Sequence, residues 1–400
     1  MVTFLLLVII YFSFISLGLS DSQLGAAWPA MFGLLNVPLH YAGFISMISA
    51  GGTVVSAILC GKIIKRFGTT IVVAGGFMLT TLALMGFSFS SSFIVLCVCA
   101  VPLGLGGGAI DVSLNNYVAL HYKARHMSWL HCFWGVGASL GPLIMSAFLL
   151  HYNSWNLGYR TIGIVHFSII VLLFLSMSLW KKNEAISTGE LNSSGDNSEK
   201  SNSYGIKDAL SVTGVKEALL VFFCYCTIET ITGLWGASYL VTVKGVLPET
   251  AAAAISLYFF GITSGRFISG FVTMKLNNRQ MVRIGQIIIG CGIVTLVLPF
   301  GNSTLLPGLF MIGLGCAPIF PSLLHETPKS FGKEYSHLII GLQMGCAYIG
   351  TSIMPPIFGW LTSITSFKIF PMFIGVVLII KIILAEVLNR KVDRAKITQF

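Results

Sequence analysis

The chain is written as a series of continuous apolar runs, each about 20 residues long, separated by short polar connections. That pattern leaves little choice of fold. Of 400 residues, 55% are hydrophobic and only 10% are charged, against about 25% charged in an ordinary soluble domain. Too few polar side chains exist to cover a water-facing surface, so lipid must be the solvent. In hydrocarbon every backbone N–H and C=O needs an internal partner, which admits only helices or a closed barrel. The runs do not alternate, so helices are expected.

Twelve spans can be drawn, at about 4–28, 41–61, 70–89, 93–118, 130–151, 160–180, 216–242, 250–272, 281–300, 304–325, 337–361 and 367–388. The N-terminus has no basic segment and no small-residue cleavage site, so Met1–Ser20 reads as a retained first helix. One set of connections holds Lys62, Lys65, Arg66, Lys123, Arg125, Lys181, Lys182, Lys275, Arg279, Lys329 and Lys333. The other set holds only Arg160, Lys244 and Lys368. The positive-inside rule makes the first set cytoplasmic, and both termini with it, in a cell membrane. The net charge of +10 is therefore a topology signal and no argument for nucleic acid. Nine cysteines lie in apolar runs with no Cys-x-x-Cys or Cys/His metal spacing. Free structural thiols are expected, with no metal and no cofactor.

The runs repeat. Gly61 and Gly270, Gly104 and Gly313, and Gly141 and Gly350 each lie 209 positions apart. A duplicated, apolar, multi-helix half is the mark of a secondary transporter. The expected organisation is an N-terminal six-helix half (1–182), a flexible cytoplasmic linker (183–215) and a C-terminal six-helix half with a short tail (216–400). Six is an even number, so the second copy starts on the same side as the first and the repeat is parallel. The linker is rich in Ser, Asn and Gly without apolar periodicity.

After the second span, Gly61-Lys-Ile-Ile-Lys65-Arg66-Phe-Gly68 resembles the loop motif of the major facilitator superfamily. Its glycines suit a tight turn, and Arg66 suits a helix C-terminus or a lipid headgroup. Lys65 stands where that family has an aspartate, and in the second copy Asn277 stands where Gly68 does.

The fourth span aligns Gly104, Gly108, Asp111 and Asn115 on one helical stripe. An ionised acid at mid-bilayer costs roughly 2.5–3.5 kcal/mol or more, so Asp111 must face a cavity, be paired or be protonated. That is the chemistry of proton coupling, with a merely structural, paired acid as the alternative. In the first span Asp21 shares a face with Gly18, Gly25 and Trp28, beside a polar stripe of Ser13, Ser16, Ser20 and Gln23. So much polarity reads as a cavity lining, with an acid merely solvated near the outer surface as the alternative. The fifth span carries His131, Gly135, Gly141 and Pro142, read as gate or packing positions, with His131 either a gate residue or a snorkelling histidine.

In the seventh span Tyr225, Glu229, Thr232 and Gly236 share a face, with Trp235 beside them. A carboxylate with an indole is what a sugar prefers, since its hydroxyls hydrogen-bond and its apolar face stacks. Gln343 in the eleventh span is a further uncharged partner. Arg266 in the eighth either snorkels or pairs with Glu326. Pro318 and Pro321 are expected to break the tenth span and free carbonyls for a cavity or gate.

The stretches GLGGGAIDVSLNNYVALHY, SWLHCFWGVGASLGP and APIFPSLLHETP resemble the fucose-permease-like branch of the major facilitator superfamily. The resemblance implies an all-α membrane protein of twelve transmembrane helices in two six-helix halves, importing a sugar with a proton by alternating access. It also implies coupling or substrate contact at Asp111 and Asn115, which match the branch's acid and the Asn four residues on, and a second acid at Asp21. No ATP-binding loop, nucleophile elbow or metal cluster is legible, so an enzyme is not expected and the energy comes from a gradient. A proton is the favoured coupling ion, with sodium open. A monomer in a lipid bilayer is expected. Proton-driven efflux of drugs or metabolites is the rival within transport, and a non-transporting membrane sensor is the rival outside it.

Overall fold

The computed structural model describes residues 2–122, 124–177, 179–180, 206–273, 275–298 and 301–397. All the long elements are α-helices. They run α1 Val2–Asp21, α2 Gln23–Met31, α3 Ala42–Phe67, α4 Thr69–Phe89, α5 Phe93–His121, α6 Ala124–Tyr152 and α7 Trp155–Leu175. Then follow α8 Ile206–Ser211, α9 Val215–Lys244, α10 Pro248–Val272, α11 Asn278–Val297, α12 Leu305–Cys316, α13 Ile319–Phe331, α14 Lys333–Ile364 and α15 Phe370–Ile397. Among the described residues, 12 spans are long and apolar enough to cross a membrane. Two spans are broken: α1 with α2 makes the first, and α12 with α13 makes the tenth.

The tenth-span break falls at Ala317-Pro318, as the prolines predict. Pro318 cannot donate to the turn before it, whereas Pro321 sits in the first turn of α13 and forfeits nothing there. The first span also breaks, at Ser22, where no proline or glycine stands. Pro142, by contrast, leaves α6 unbroken from Ala124 to Tyr152.

Packing divides the chain into two compact units, Met1–Glu199 with Pro248–Ser256, and Lys200–Leu247 with Leu257–Phe400. Of the segment read as a linker, residues 183–205 lie outside the described set. Its end is ordered: Ile206–Ser211 forms α8, whose buried Ala209 packs with Val215, Ala218, Phe331, Ile339 and Val392. The polar composition before it hides this short apolar docking face.

Each unit is held by helices that approach closely at glycines, and the 209-residue repeat is reproduced contact by contact. In the first unit a Cβ on Gly104 would strike Ser49 O, and one on Gly52 would lie 3.0 Å from Leu105 N. In the second unit a Cβ on Gly313 would strike Tyr258 O, and one on Gly261 would lie 2.9 Å from Leu314 N. Likewise a Cβ on Gly76 would lie 2.9 Å from Gly106 O, and one on Gly285 would lie 2.5 Å from Gly315 O. Every residue in the second set is its counterpart plus 209. In lipid no hydrophobic force drives helices together, so small residues that let backbones touch carry the association.

All nine cysteines are free thiols. Gly68 closes α3 and opens α4 at φ 83°, a backbone that favours glycine. In the second unit Asn277 solves the same turn differently. Its backbone is extended, and it caps α11 reciprocally with Gln280, at 2.9 and 3.0 Å. Gly61 lies inside α3 with open space where a Cβ would sit, so the tight turn expected of that motif belongs to Gly68 alone. Arg66 lies 5.3 Å over the Phe67 ring.

Candidate functional site

Two acids of the first unit stand out. Asp21 ends α1 at the break, and its Oδ2 accepts a hydrogen bond from Trp134 Nε1 at 2.9 Å. The geometry has a backbone cause. Gly18, one turn earlier, has no Cβ, and one there would strike Trp134 O and lie 2.7 Å from Ala138 N. The α1 and α6 backbones therefore touch, and the indole reaches the carboxylate. Gly137 and Gly141 continue the seam: a Cβ on Gly137 would strike Ile15 O, and one on Gly141 would lie 2.6 Å from Ser22 Oγ. Gly135 is buried and its carbonyl accepts from Ser139 Oγ at 2.8 Å. His131 is exposed and edge-on to Phe14, with ring centroids 6.1 Å apart.

Asp111 lies on α5. Its Oδ1 accepts from Asn115 Nδ2 at 2.9 Å, and the same amide donates to Asp111 O at 2.9 Å. Asn115 therefore fixes the carboxylate and keeps its own amide oxygen for another donor. Asp21 and Asp111 both belong to the first unit, on α1 and α5. Among the described residues neither forms an ion pair.

The polar stripe beside Asp21 does not line a cavity. Ser13, Ser16, Ser20 and Gln23 are all buried. Ser13, Ser20 and Gln23 bond back to carbonyls of Ile9, Leu17 and Leu19, at 2.9, 2.8 and 3.1 Å. Ser16 meets His166 Nδ1 at 2.9 Å. Short polar side chains in a helix find their own backbone first, which the stripe in the sequence does not reveal.

In the second unit Glu229 Oε1 lies 3.9 Å from Arg266 Nη2, with side chains 22% and 18% exposed. Tyr258 Oη donates to the Glu229 carbonyl at 2.9 Å. The alternative pairing of Arg266 with Glu326 is not formed. Glu326 instead pairs with Arg279 at 3.4 Å and accepts from Asn278 at 3.0 Å. Trp235 is not a substrate platform here. It is fully buried, its Nε1 donates to Pro355 O at 3.2 Å, and Phe358 and Phe367 crowd its ring at 6.2 and 5.7 Å. Gln343 is also buried, and its Oε1 accepts from Thr327 Oγ1 at 3.0 Å. It lines a cleft with Asn278, Arg279, Ser322 and Glu326, apart from Glu229.

Three residues escape the sequence reading. Trp134 is one, though the repeat places it opposite Gln343, a hint that both positions are polar contacts. His166 is fully buried with Nε2 unbonded. Lys381 is fully buried in α15, and its Nζ has no hydrogen-bond partner. The signal for Lys381 was plain, a lone cation in Leu-Ile-Ile-Lys-Ile-Ile-Leu.

Known proteins share this architecture. The glucose/mannose transporter GlcP of Bacillus subtilis (strain 168) is 24% identical over 361 residues, 88% of this chain and 86% of GlcP. The cis,cis-muconate transport protein of Acinetobacter baylyi is 22% identical over 346 residues, 82% of this chain and 80% of that protein. A solved structure of the peptide transporter POT in complex with sulfate superposes with a TM-score of 0.74 at 16% identity, covering 96% of this chain and 94% of POT, which shows the fold. The description of the Major Facilitator Superfamily matches residues 6–246 and again 218–398, and the chain belongs to that family.

Proposed function

We propose that this multi-pass membrane protein, a secondary transporter of small solutes, imports a sugar or similar small polar solute together with a proton. It does so as a monomer, by alternating access, in the cell membrane with both termini cytoplasmic. The observation that carries coupling is the Asp21/Asp111 pair. Two carboxylates in membrane spans of one unit, with no ion-pair partner among the described residues, call for a cation, and a proton is the smallest. Trp134 and Asn115 hold the two carboxylates in place. Solute hydroxyls would donate to the free oxygens of Asp21 and Asn115, and Glu229 would offer a further acceptor. GlcP is named for glucose and mannose, which supports a sugar.

A second reading has its own observation. Arg266 and Lys381 place cations in spans of the second unit, and one relative is named for cis,cis-muconate, so an organic acid is the alternative solute. Uptake of labelled glucose and mannose into proteoliposomes, driven by an inward proton gradient, tests the first reading. Accumulation that collapses with a protonophore supports it. Gradient-driven muconate uptake without sugar uptake favours the second. Outward movement of dyes alone points to an exporter, and absence of every flux leaves a sensor.

A further inference from the structure

A groove on the second unit takes no part in the reading above. It lies between the last turns of α9 and α11 and the first three turns of α15, and holds about 520 Å³. Its shape has a local cause. Gly375 has no side chain, and a Cβ there would meet only Ile293 Cγ2, at 4.0 Å, so α11 and α15 stand apart at this level. Val297, Met372, Val376 and Ile379 line the groove, and each is at least half exposed. The groove follows α15 from its start at Phe370 to Ile379, about 14 Å along the helix axis. That is about half of a hydrocarbon core roughly 30 Å thick, the depth of one leaflet.

The charged residues that line it are Lys244 and Lys368, with no acid beside them. They are two of the three basic residues in the sparsely charged set of connections. Among the described residues neither lysine forms an ion pair. The opposite ends of α11 and α15 differ, for there Arg279 holds Asp393 and Arg283 holds Glu386, each at 2.8 Å. Lys244 ends α9, where a cation suits the negative end of the helix dipole, and its Nζ lies 5.9 Å over the Tyr239 ring. Lys368 stands just before α15, where the helix end is itself positive, so helix and lysine add the same sign. A soluble anion would leave the apolar wall uncovered, and a neutral lipid would leave the two cations without a counter-charge. A molecule with an anionic head and an apolar chain answers both. We propose that this groove binds one anionic phospholipid of the bilayer, its phosphate at Lys244 and Lys368 and an acyl chain along Val297, Met372, Val376 and Ile379. The site is independent of which solute the protein carries.

The test uses the full-length protein in detergent, titrated with phosphatidylglycerol or with phosphatidylcholine of the same acyl chains, and native mass spectrometry counts the lipids retained. Two lysines at a membrane surface should hold phosphatidylglycerol about thirtyfold more tightly than phosphatidylcholine. Lys244→Gln with Lys368→Gln should remove one tightly held phosphatidylglycerol. Lys62→Gln with Lys65→Gln, in the other set of connections, should not remove it. Gly375→Phe fills the groove while leaving both lysines in place, and should remove it too. Equal retention of the two lipids, or a phosphatidylglycerol count unchanged by Lys244→Gln with Lys368→Gln, overturns the proposal. Retention in Gly375→Phe overturns it as well, since surface charge alone would then suffice. So does release of the lipid by inorganic phosphate, which would make the ligand a soluble anion.

Discussion

Replacing Asp111 by Asn isolates the coupling charge with little change of shape. The Asn115 amide now donates at 2.9 Å to Oδ1 of a carboxylate. In the variant it donates to a neutral amide oxygen. Bonds to charged groups contribute about 1.5–3 kcal/mol and neutral ones about 0.5–1.5, so the contact weakens by about 1 kcal/mol. Against that, an ionised acid at mid-span carries roughly 2.5–3.5 kcal/mol of unfavourable burial, which the amide lacks. The second term is the larger, so the variant should melt no lower than the parent in detergent. Transport should change far more. With one proton per solute, about 100 mV contributes about 2.3 kcal/mol and one pH unit about 1.4. Together they support a concentration ratio of about 500. Asp111→Asn should reduce that ratio to about one while labelled solute still exchanges with unlabelled solute in counterflow. Proteoliposomes measured in both modes decide it. A variant that still concentrates solute under the gradient would refute the coupling role. A variant that loses exchange as well as accumulation would show that Asp111 binds solute and does not merely carry the proton.

Trp134→Phe removes the indole N–H that reaches Asp21 but keeps the ring, so KM or the pH profile of uptake should move while the melting temperature changes little. Gly104→Ala and Gly313→Ala should each cost about 1–3 kcal/mol, because a Cβ there meets backbone of the facing helix. Gly61→Ala, with open space around it, should be neutral or stabilising, and thermal melts of the three variants compare them directly. Lys381→Met replaces a buried, unbonded ammonium by an apolar chain of similar length and should raise the melting temperature. If sugar or acid uptake also falls in Lys381→Met, the lysine has a part in transport as well.

The spans were legible because hydrocarbon removes alternatives: a continuous apolar run of that length has to be a helix, whatever it packs against. The tenth-span break was legible because Pro318 cannot donate. The first-span break was not. Ser20-Asp21-Ser22-Gln23 reads as a polar patch, and polarity alone does not tell a cavity from side chains bonded to their own helix. Trp235 failed for a related reason. Sharing a span with Glu229 says nothing about which groups surround a side chain, and Pro355, Phe358 and Phe367 come from over a hundred residues away. The Asp21–Trp134 contact is likewise long-range, yet its cause, Gly18, was visible as a small residue one turn before the acid.

The repeat explains why backbone and chemistry separate so cleanly. The recurring pairs Gly52/Gly261, Gly76/Gly285 and Gly104/Gly313 mark helix crossings, where a Cβ on either copy would meet backbone, whereas Gly61 and Gly270 have open space around them. Side chains away from those crossings carry no such constraint. Asp111 corresponds to Phe320 and Asn115 to Leu324. Phe320 packs against Phe222 and Tyr225, with ring centroids 5.1 and 6.1 Å away. Where the first unit holds an acid and its amide, the second is filled with aromatic rings. The second unit places its own acid elsewhere, at Glu229, and gives it Arg266 3.9 Å away. An acid with a fixed cation beside it has less need of a proton than one without. Under the proposed proton coupling, the first unit is the one whose carboxylates would depend on an exchangeable cation, and the shared frame at Gly104 and Gly313 lets that difference sit on equivalent helices.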